Sequence, residues 1–247
     1  MKIFLKIFYY VFVVACFVGI IFSLFKIFSW KKNVDENNSI KKKTSDYIEV
    51  VEGKNENNEN VEEYLIDFDN VRKENSDAVA YIKVKNTNID YIVVKGIDND
   101  YYLNHNFYKN YNSAGWIFAD YQNKFDGKDK NIILYGHNMK DGSMFGSLSK
   151  VFDEDWLSNM DNRRIIFVTE QGTFFYDIFS TYTIYPEDYY LTTNFILEDY
   201  FSFLTVLKSR STFDFGINLD SNDQILTLSS CSWDGKKRIV VHAKKVV

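Results

Sequence analysis

The chain has 247 residues, a net charge of −5, one proline and two cysteines. This acidic balance argues against a general nucleic-acid-binding protein, which would carry a basic excess or stripe. Two cysteines exclude a disulfide framework, and a Cys/His zinc site would need most of the five Cys and His residues present. An aromatic content of 18% is high for a disordered chain, so we expect a folded core.

A long apolar segment lies near the N-terminus. The nineteen residues from Ile7 to Phe25 carry no charge and are bracketed by lysines. As a helix they span roughly 28 Å, which is close to the thickness of a bilayer's hydrocarbon core. A cleaved signal peptide would have a shorter apolar region ending in small residues, whereas this one ends in Ser-Leu-Phe-Lys. We therefore predict an uncleaved anchor over residues 1–30, crossing the membrane through residues 7–25.

The lysines around this segment predict its orientation poorly. Two lysines precede it, and six follow it before residue 44. By the positive-inside rule this count places the C-terminal bulk of the chain in the cytoplasm. That orientation conflicts with the one implied by the family resemblance described below.

A polar stretch separates the anchor from the rest of the chain. Residues 31–60 are rich in Lys, Asn, Glu and Asp, and they predict an unordered tether with a short helix around Ile40–Val51. From Val61 onward apolar residues recur at helical spacing as far as Val71, which predicts an amphipathic helix. We therefore place one compact domain over residues 61–247.

Runs of β-branched and aromatic residues dominate that domain. Eight runs predict strands: Ala80–Val84, Tyr91–Val94, Trp116–Ala119, Ile132–Tyr135, Ile165–Thr169, Thr173–Tyr185, Ile225–Ser229 and Ile239–Ala243. One helical interruption is predicted near Leu197–Leu207, where Leu197, Phe201, Leu204 and Leu207 share a face. This pattern predicts a mainly β fold, a closed or nearly closed eight-stranded barrel with an N-terminal helix and an inserted helix.

The search for catalytic motifs leaves one cysteine of interest. The phosphate-binding loop, HExxH, GxGxxG and GxSxG patterns are all absent from the sequence. Acidic residues do not cluster on one loop in calcium-ligand spacing, so we expect neither a metal nor a cofactor. What remains is Cys231, together with three histidines. A cysteine with a histidine distant in sequence is the minimal pattern of a thiol nucleophile and its acid/base partner.

Three predicted strand ends carry reactive side chains. Cys231 ends a strand on which Ser229 shares its face, and Arg238 begins the next strand seven residues later. His137 ends a third strand, directly after Gly136. Alternatives remain open, because Arg238 also fits a surface arginine paired to an acid and His137 a hydrogen-bonded turn residue. His105 and His242 are interpreted as structural.

At these residues the sequence resembles the sortases. The resemblance depends on Tyr135-Gly-His-Asn-Met139, on Thr227-Leu-Ser-Ser-Cys231 against the family pattern TLxTC, and on Arg238. Further matches are Ala80-Tyr-Ile-Lys-Val84 and Gly115-x-Ile-Phe-x-Asp120. Ser230 replaces the usual threonine. The helix before the first strand and the helical insertion are similar to class B sortases in particular.

The resemblance implies a membrane-anchored transpeptidase on the outer face of a Gram-positive cell. Such an enzyme cleaves a C-terminal sorting motif (NPQTN or a PxTG-like variant) of a secreted protein. It then joins the new carboxyl end to an amine of peptidoglycan or of its lipid-linked precursor. The implied roles are nucleophile for Cys231, acid and base for His137, and oxyanion donor for Arg238.

The resemblance also implies residues that bind the substrate. Asn99 and Leu103 match a class B pattern beside the cleft, and Tyr190 and Leu191 match a wall that receives apolar residues of the motif. Ser229 lies on the strand face of Cys231. For Leu103 and Leu191, packing in the core is an equally good interpretation.

Two other functions remain compatible with the residues. A cell-envelope Cys-His thiol hydrolase would use the same nucleophile but pass the acyl group to water. A non-enzymatic anchored scaffold would bind an envelope partner through its aromatic surface.

Overall fold

The computed structural model describes residues 2–54, 60–195, 197–231 and 236–246. Within these residues, four α-helices occur in chain order: α1 Lys2–Thr44, α2 Phe68–Glu74, α3 Glu154–Ser158 and α4 Leu197–Ser209. The first strands are β1 Ile48–Lys54, β2 Asn60–Ile66, β3 Ala78–Val84, β4 Asp90–Val94 and β5 Phe118–Ala119. The remaining strands are β6 Asn131–Gly136, β7 Arg164–Thr169, β8 Gly172–Ile184, β9 Ile225–Cys231 and β10 Arg238–Lys245.

Eight strands close into a barrel. Their order around it is β10-β8-β7-β3-β4-β5-β6-β9, and β9 pairs with β10 to complete the ring. The β4–β5 and β6–β9 pairs are parallel, while the other pairs are antiparallel. Each predicted strand overlaps one of these eight, so the predicted mainly β fold and closed barrel are confirmed.

Large apolar side chains fill the barrel and the space beneath α4. Trp116, Tyr81 and Phe167 are among the largest fully buried side chains of the barrel core. A second cluster forms where Leu204 and Leu207 of α4 pack over the outside of β8 and β10. The predicted apolar face of this helix was partly wrong. Leu204 and Leu207 are buried as predicted, but Phe201 is 50% exposed, and Tyr200 and Phe203 pack in its place. The side chain of Leu197 lies outside the described part of the structure.

Helix α1 runs without interruption from the N-terminal apolar segment to the barrel. Its first part is exposed, and it is long and apolar enough by length and composition to cross a membrane. Its last part packs against the domain through Val34, Asn37, Ile40 and Thr44, which are buried at helical spacing. Asn37 donates a hydrogen bond through Nδ2 to the carbonyl of Gly115 (3.0 Å).

The conformation predicted for residues 31–60 was therefore wrong over much of its length. Residues 31–44 continue the helix, and residues 48–54 pair with residues 60–66 as an antiparallel hairpin. Residues 55–59 lie outside the described part of the chain. The helix predicted from Val61 begins only at Phe68, after the side chain of Asp67 accepts a hydrogen bond from the backbone N–H of Asn70. Tertiary packing, which composition does not reveal, decides these conformations.

Candidate active site

Three adjacent strand ends meet at one rim of the barrel. In the parallel β6–β9 pair, Gly136 lies opposite Ser230, so the residues that follow, His137 and Cys231, lie side by side. In the antiparallel β9–β10 pair, Arg238 lies opposite Cys231. Neighbouring strands are about 4.8 Å apart, which brings the backbones of the three predicted catalytic residues together. The side chain of Cys231 lies outside the described part of the structure.

The carbonyl of Leu103 holds one nitrogen of the His137 ring. Its Nε2 lies 2.8 Å from the backbone oxygen of Leu103. Because a carbonyl oxygen can only accept, Nε2 carries the hydrogen of this bond. In the neutral ring Nδ1 is then the basic nitrogen, the one that can exchange a proton with a reacting group.

Two glycines shape the loop that follows His137. A Cβ on Gly136 would lie 2.9 Å from the ring of Phe145, and a Cβ on Gly146 would lie 2.1 Å from the carbonyl oxygen of Met139. Their absence of side chains lets Phe145 pack against β6 and donate its backbone N–H to the carbonyl of His137 (3.0 Å). The loop therefore turns back on itself directly beside the candidate catalytic histidine.

Asn99, four residues before Leu103, is held by a buried carboxylate. It donates through Nδ2 to Oδ2 of Asp120 (2.8 Å) and accepts at Oδ1 from the N–H of Tyr121 (3.1 Å). The hydroxyl of Tyr135 donates to the same Asp120 oxygen (2.8 Å). Burial, and then the charge of Asp120, raise the pKa of Tyr135, so its hydroxyl stays protonated and able to donate.

Asp120 is a residue whose role sequence analysis missed. Its side chain is 2% exposed, and it joins the loop that carries Asn99 to the end of β6, just before His137. It was visible in the sequence as the last residue of the Gly115-x-Ile-Phe-x-Asp120 match. Nothing in that match indicated which groups the carboxylate would hold.

The other predicted substrate residues lie on three elements. Leu103 ends the short 3-10 turn Tyr101–Leu103, Tyr190 and Leu191 lie on a second such turn, Tyr189–Leu191, and Ser229 lies on β9. The Tyr190 hydroxyl lies 3.0 Å from Oγ of Ser229, and both side chains are almost completely buried. Leu191 is half-buried and packs against the cluster beneath α4. Leu103 packs partly against the barrel core, while its carbonyl faces His137.

The two remaining histidines lie away from the three strand ends. His105 stacks on Tyr101 with ring centroids 4.0 Å apart, and His242 is completely buried in the middle of β10. Within the described residues, no group of three or more His, Cys, Asp or Glu side chains could hold a metal ion.

Comparisons with known proteins identify the family. A sortase domain model matches residues 82–246. Sortase B of Listeria monocytogenes is 38% identical over 182 residues, covering 71% of this chain and 72% of that protein. A Bacillus anthracis sortase B structure has a TM-score of 0.74 at 34% identity, covering 87% of this chain and 98% of the other. A Staphylococcus aureus sortase B structure has a TM-score of 0.68 at 33% identity, covering 72% and 84% respectively.

The fold, the strand-end motifs and these relatives agree. The matched region contains the whole barrel from β4 onward and all three strand ends. The chain therefore belongs to the sortase family, as a class B sortase, a cysteine transpeptidase.

Proposed function

We propose that this enzyme cleaves a C-terminal sorting motif of secreted proteins and transfers them, through a thioester on Cys231, to an amine of peptidoglycan or of its lipid-linked precursor. The observation that supports this proposal most directly is the strand register, in which Cys231 lies opposite Arg238 and beside His137. A Staphylococcus aureus sortase B forms a complex with substrate, and another sortase B structure is complexed with triglycine. Triglycine has a terminal amine, which is the chemistry of the proposed acceptor.

The first half of the reaction forms the thioester. The sulfur of Cys231 attacks the carbonyl carbon of the scissile peptide bond, and the C–N bond then breaks. A free thiol with a pKa of about 8.5 is only about 3% thiolate at pH 7, so a neighbouring cation that favours the thiolate speeds this step. Arg238 is the cationic residue opposite Cys231 in the register.

His137 moves the proton in both halves. The Cys231 thiol first gives its proton to Nδ1 of the ring, which becomes an imidazolium beside the thiolate, and the departing amine then takes that proton from the ring. When the acceptor amine attacks the thioester, the ring takes a proton back while the C–S bond breaks and the thiolate leaves. Because Nε2 donates to Leu103, we assign these transfers to Nδ1.

Arg238 donates to the oxyanion that forms in each tetrahedral intermediate. A guanidinium offers several N–H groups in a fixed plane, and strand pairing limits how far its backbone can move. Residues at the start of a paired strand are therefore suited to a role that needs donors already in place.

An extended peptide needs apolar pockets and a few polar contacts for its specificity. We assign these to Asn99, Leu103, Tyr190, Leu191 and Ser229. Asp120 holds Asn99 in place, and the Tyr190–Ser229 contact holds the 189–191 turn against β9. The motif itself, NPQTN or PxTG-like, stays part of the proposal.

For the whole chain we propose a single membrane pass with the catalytic domain outside the cell. Residues 1–30 form the anchor, residues 31–60 connect it, and residues 61–247 form the catalytic domain. An enzyme that acts on secreted proteins and peptidoglycan finds both only outside the membrane. We therefore give the substrate chemistry more weight than the lysine count.

A peptide panel tests the proposal. The purified full-length protein in detergent micelles is incubated with NPQTN, PPKTG and LPxTG-like peptides, with and without triglycine, and the products are analysed by mass spectrometry. A transpeptidase produces the peptide–triglycine adduct in preference to the free acid. Production of the acid alone would favour the thiol hydrolase, and no cleavage of any peptide would contradict the proposed substrate class.

A further inference from the structure

A network of buried, hydrogen-bonded polar side chains crosses β6, β9 and β10, away from the three strand ends that carry His137, Cys231 and Arg238. We call this part of the sheet the floor and the three strand ends the rim. His242, Thr227 and Asn131 lie on adjacent strands and are completely buried. Nδ1 of His242 lies 2.9 Å from Oγ1 of Thr227, and Oγ1 of Thr227 lies 2.7 Å from Oδ1 of Asn131. At the far end, Nε2 of His242 lies 2.8 Å from the Tyr182 hydroxyl.

The contacts of the Asn131 amide determine which atoms of this buried network carry hydrogens. Its Nδ2 contacts two backbone carbonyls, those of Tyr190 (3.3 Å) and Thr192 (2.9 Å). Carbonyls can only accept, so the amide nitrogen must face them and Oδ1 must face Thr227. Thr227 has one hydroxyl hydrogen, and it goes to that Oδ1. The hydroxyl can then only accept from His242, so Nδ1 of His242 carries a hydrogen.

The other side of the His242 ring fits the same assignment. In a neutral ring protonated on Nδ1, Nε2 accepts, and the Tyr182 hydroxyl donates to it. The Arg210 guanidinium lies over the Tyr182 ring, 5.8 Å from the ring centroid. Every hydrogen bond from the Tyr182 hydroxyl to the carbonyls of Tyr190 and Thr192 then joins one donor to one acceptor. Burial, and then the charge of Arg210, lower the pKa of His242 to about 3, in keeping with a neutral ring.

The backbone of β8 and β10 places the His242 ring where it can form these hydrogen bonds. The β8–β10 register shifts between His242 and Ala243, so that Phe179 is an extra residue on β8 opposite the histidine. The Phe179 ring stacks on the His242 ring with the ring centroids 5.9 Å apart. The Tyr190 ring contacts the His242 ring edge-on, with the centroids 6.3 Å apart. The imidazole therefore contacts Tyr190 directly and the carbonyls of Tyr190 and Thr192 through Thr227 and Asn131. We call residues 189–192, which are the 189–191 turn and Thr192, the 189–192 turn.

We propose that His242 is a positioning residue for substrate binding: as the neutral Nδ1–H tautomer it orients Thr227 and Asn131, which hold the 189–192 turn that borders the peptide cleft. The part of this proposal that concerns binding depends on the proposed function, since that assigns Tyr190 and Leu191 to the cleft. The hydrogen-bond directions do not depend on it. His242 contacts no reacting atom in this scheme and acts only through its neighbours.

The tautomer can be observed directly. Full-length protein labelled with 15N-histidine is studied in micelles by long-range 1H–15N correlation, and the His242 signals are assigned by their loss in His242→Phe. We expect Nδ1 to show the shift of a protonated ring nitrogen and Nε2 that of an unprotonated one, unchanged between pH 5 and pH 8. A protonated Nε2 in the neutral ring, or titration within that range, would overturn the assignment.

A pair of Thr227 variants tests the link to substrate. Thr227→Val removes the hydroxyl at nearly constant volume, whereas Thr227→Ser keeps it. Thr227→Val breaks the relay of hydrogen bonds from His242 to Asn131. It is expected to raise KM for the sorting peptide about five- to tenfold and to change kcat less than about twofold, since the turn contributes to binding rather than to chemistry. Thr227→Ser should stay close to the parent. Tyr81→Phe is the matched control. It removes the hydrogen bond from the Tyr81 hydroxyl on β3 to the Asp90 carboxylate on β4, and it should leave KM unchanged.

A second pair separates positioning from simple packing. His242→Asn keeps an N–H donor near Nδ1 but loses ring volume, whereas His242→Phe keeps the ring volume but loses the donor. The proposal predicts a KM closer to the parent value for His242→Asn, and packing alone predicts the reverse order. The reverse order, or equal KM values for Thr227→Val and Thr227→Ser, would refute the link. If the unmodified protein cleaves no sorting peptide, the proposed function fails, while the tautomer spectrum still decides the relay.

Discussion

Two histidines on the same sheet show how position along a strand decides what a side chain can do. His137 follows the last residue of β6, is half-buried, and has one ring nitrogen bonded to the carbonyl of Leu103. His242 lies inside β10, is completely buried, and has both ring nitrogens within hydrogen-bond distance of hydroxyls. At a strand end the ladder stops and a side chain can meet a reactant. In the strand interior, buried polar atoms nearly always have a protein partner.

The rim and the floor of the barrel are therefore expected to respond differently to substitution. Substitutions at the rim should lower the catalytic rate and leave the free energy of unfolding nearly unchanged. Changes at the floor should alter binding, stability and their pH dependence while leaving the chemical step intact.

The largest effect is expected from Cys231→Ala. Removal of the nucleophile leaves no atom to form the thioester, so formation of the peptide–triglycine adduct should fall by at least about 10³-fold. Mass spectrometry of the adduct measures this. Cys16→Ala, which removes the exposed cysteine of α1, is the control and should retain full activity. Turnover by Cys231→Ala at the parent rate would refute the thioester mechanism.

His137→Gln should lower kcat by about 10²–10⁴-fold. A glutamine amide can still donate to the Leu103 carbonyl, but it cannot carry a proton between the two amines. Steady-state kinetics together with a thermal unfolding curve test this, because the melting temperature should stay near that of the parent. His105→Gln, at the histidine stacked on Tyr101, should change kcat by less than about threefold. Similar losses in both variants would mean that the effect is not specific to the rim.

Arg238→Lys should lower kcat/KM by about 10- to 100-fold. The positive charge is kept, but the planar set of donors to the oxyanion is lost. Arg164→Lys is the control, because its guanidinium forms a salt bridge with Asp177 on β7 and β8 (2.7 Å). If Arg238→Lys were as active as the parent, the role of this residue would reduce to charge alone.

The smallest effect is expected at the floor, in the acid dependence of stability. The folded-state pKa of His242 lies at about 3, below the ordinary value of 6.5. The unfolded chain therefore binds an extra proton as the pH falls below 6.5, and the folded state loses about 1.4 kcal/mol per pH unit from this group. The groups that face the ring are Tyr182, Tyr190 and Arg210, and Arg210 stays charged throughout.

This acid dependence is measured by comparison with His242→Phe, which has no titrating ring. Unfolding of both proteins is followed in micelles from pH 7 to pH 4.5. The stability of the parent should fall more steeply than that of the variant below pH 6.5, while carboxylates shared by both proteins cancel in the difference. Parallel curves would mean that His242 is not a buried neutral histidine.

Sequence patterns predicted the barrel well because each strand is a local run of β-branched and aromatic residues. Segment 31–60 shows the limit of this approach. Its polar composition predicted disorder, but Val34 and Ile40 find a partner surface on the barrel and residues 31–44 remain helical. The sequence also could not reveal that Asp120 holds Asn99, since the two lie 21 residues apart and meet only through folding.

The strands and the apolar N-terminal segment can be predicted from the sequence alone, and the motifs around His137, Cys231 and Arg238 indicate the family. These features depend on neighbouring residues along the chain and on residue chemistry. Which nitrogen of His137 carries a hydrogen, and how His242 connects to residues 189–192, depend on the folded arrangement of the chain. A tautomer is set by the atoms that surround a ring in space, and those atoms come from strands and turns far apart in the chain.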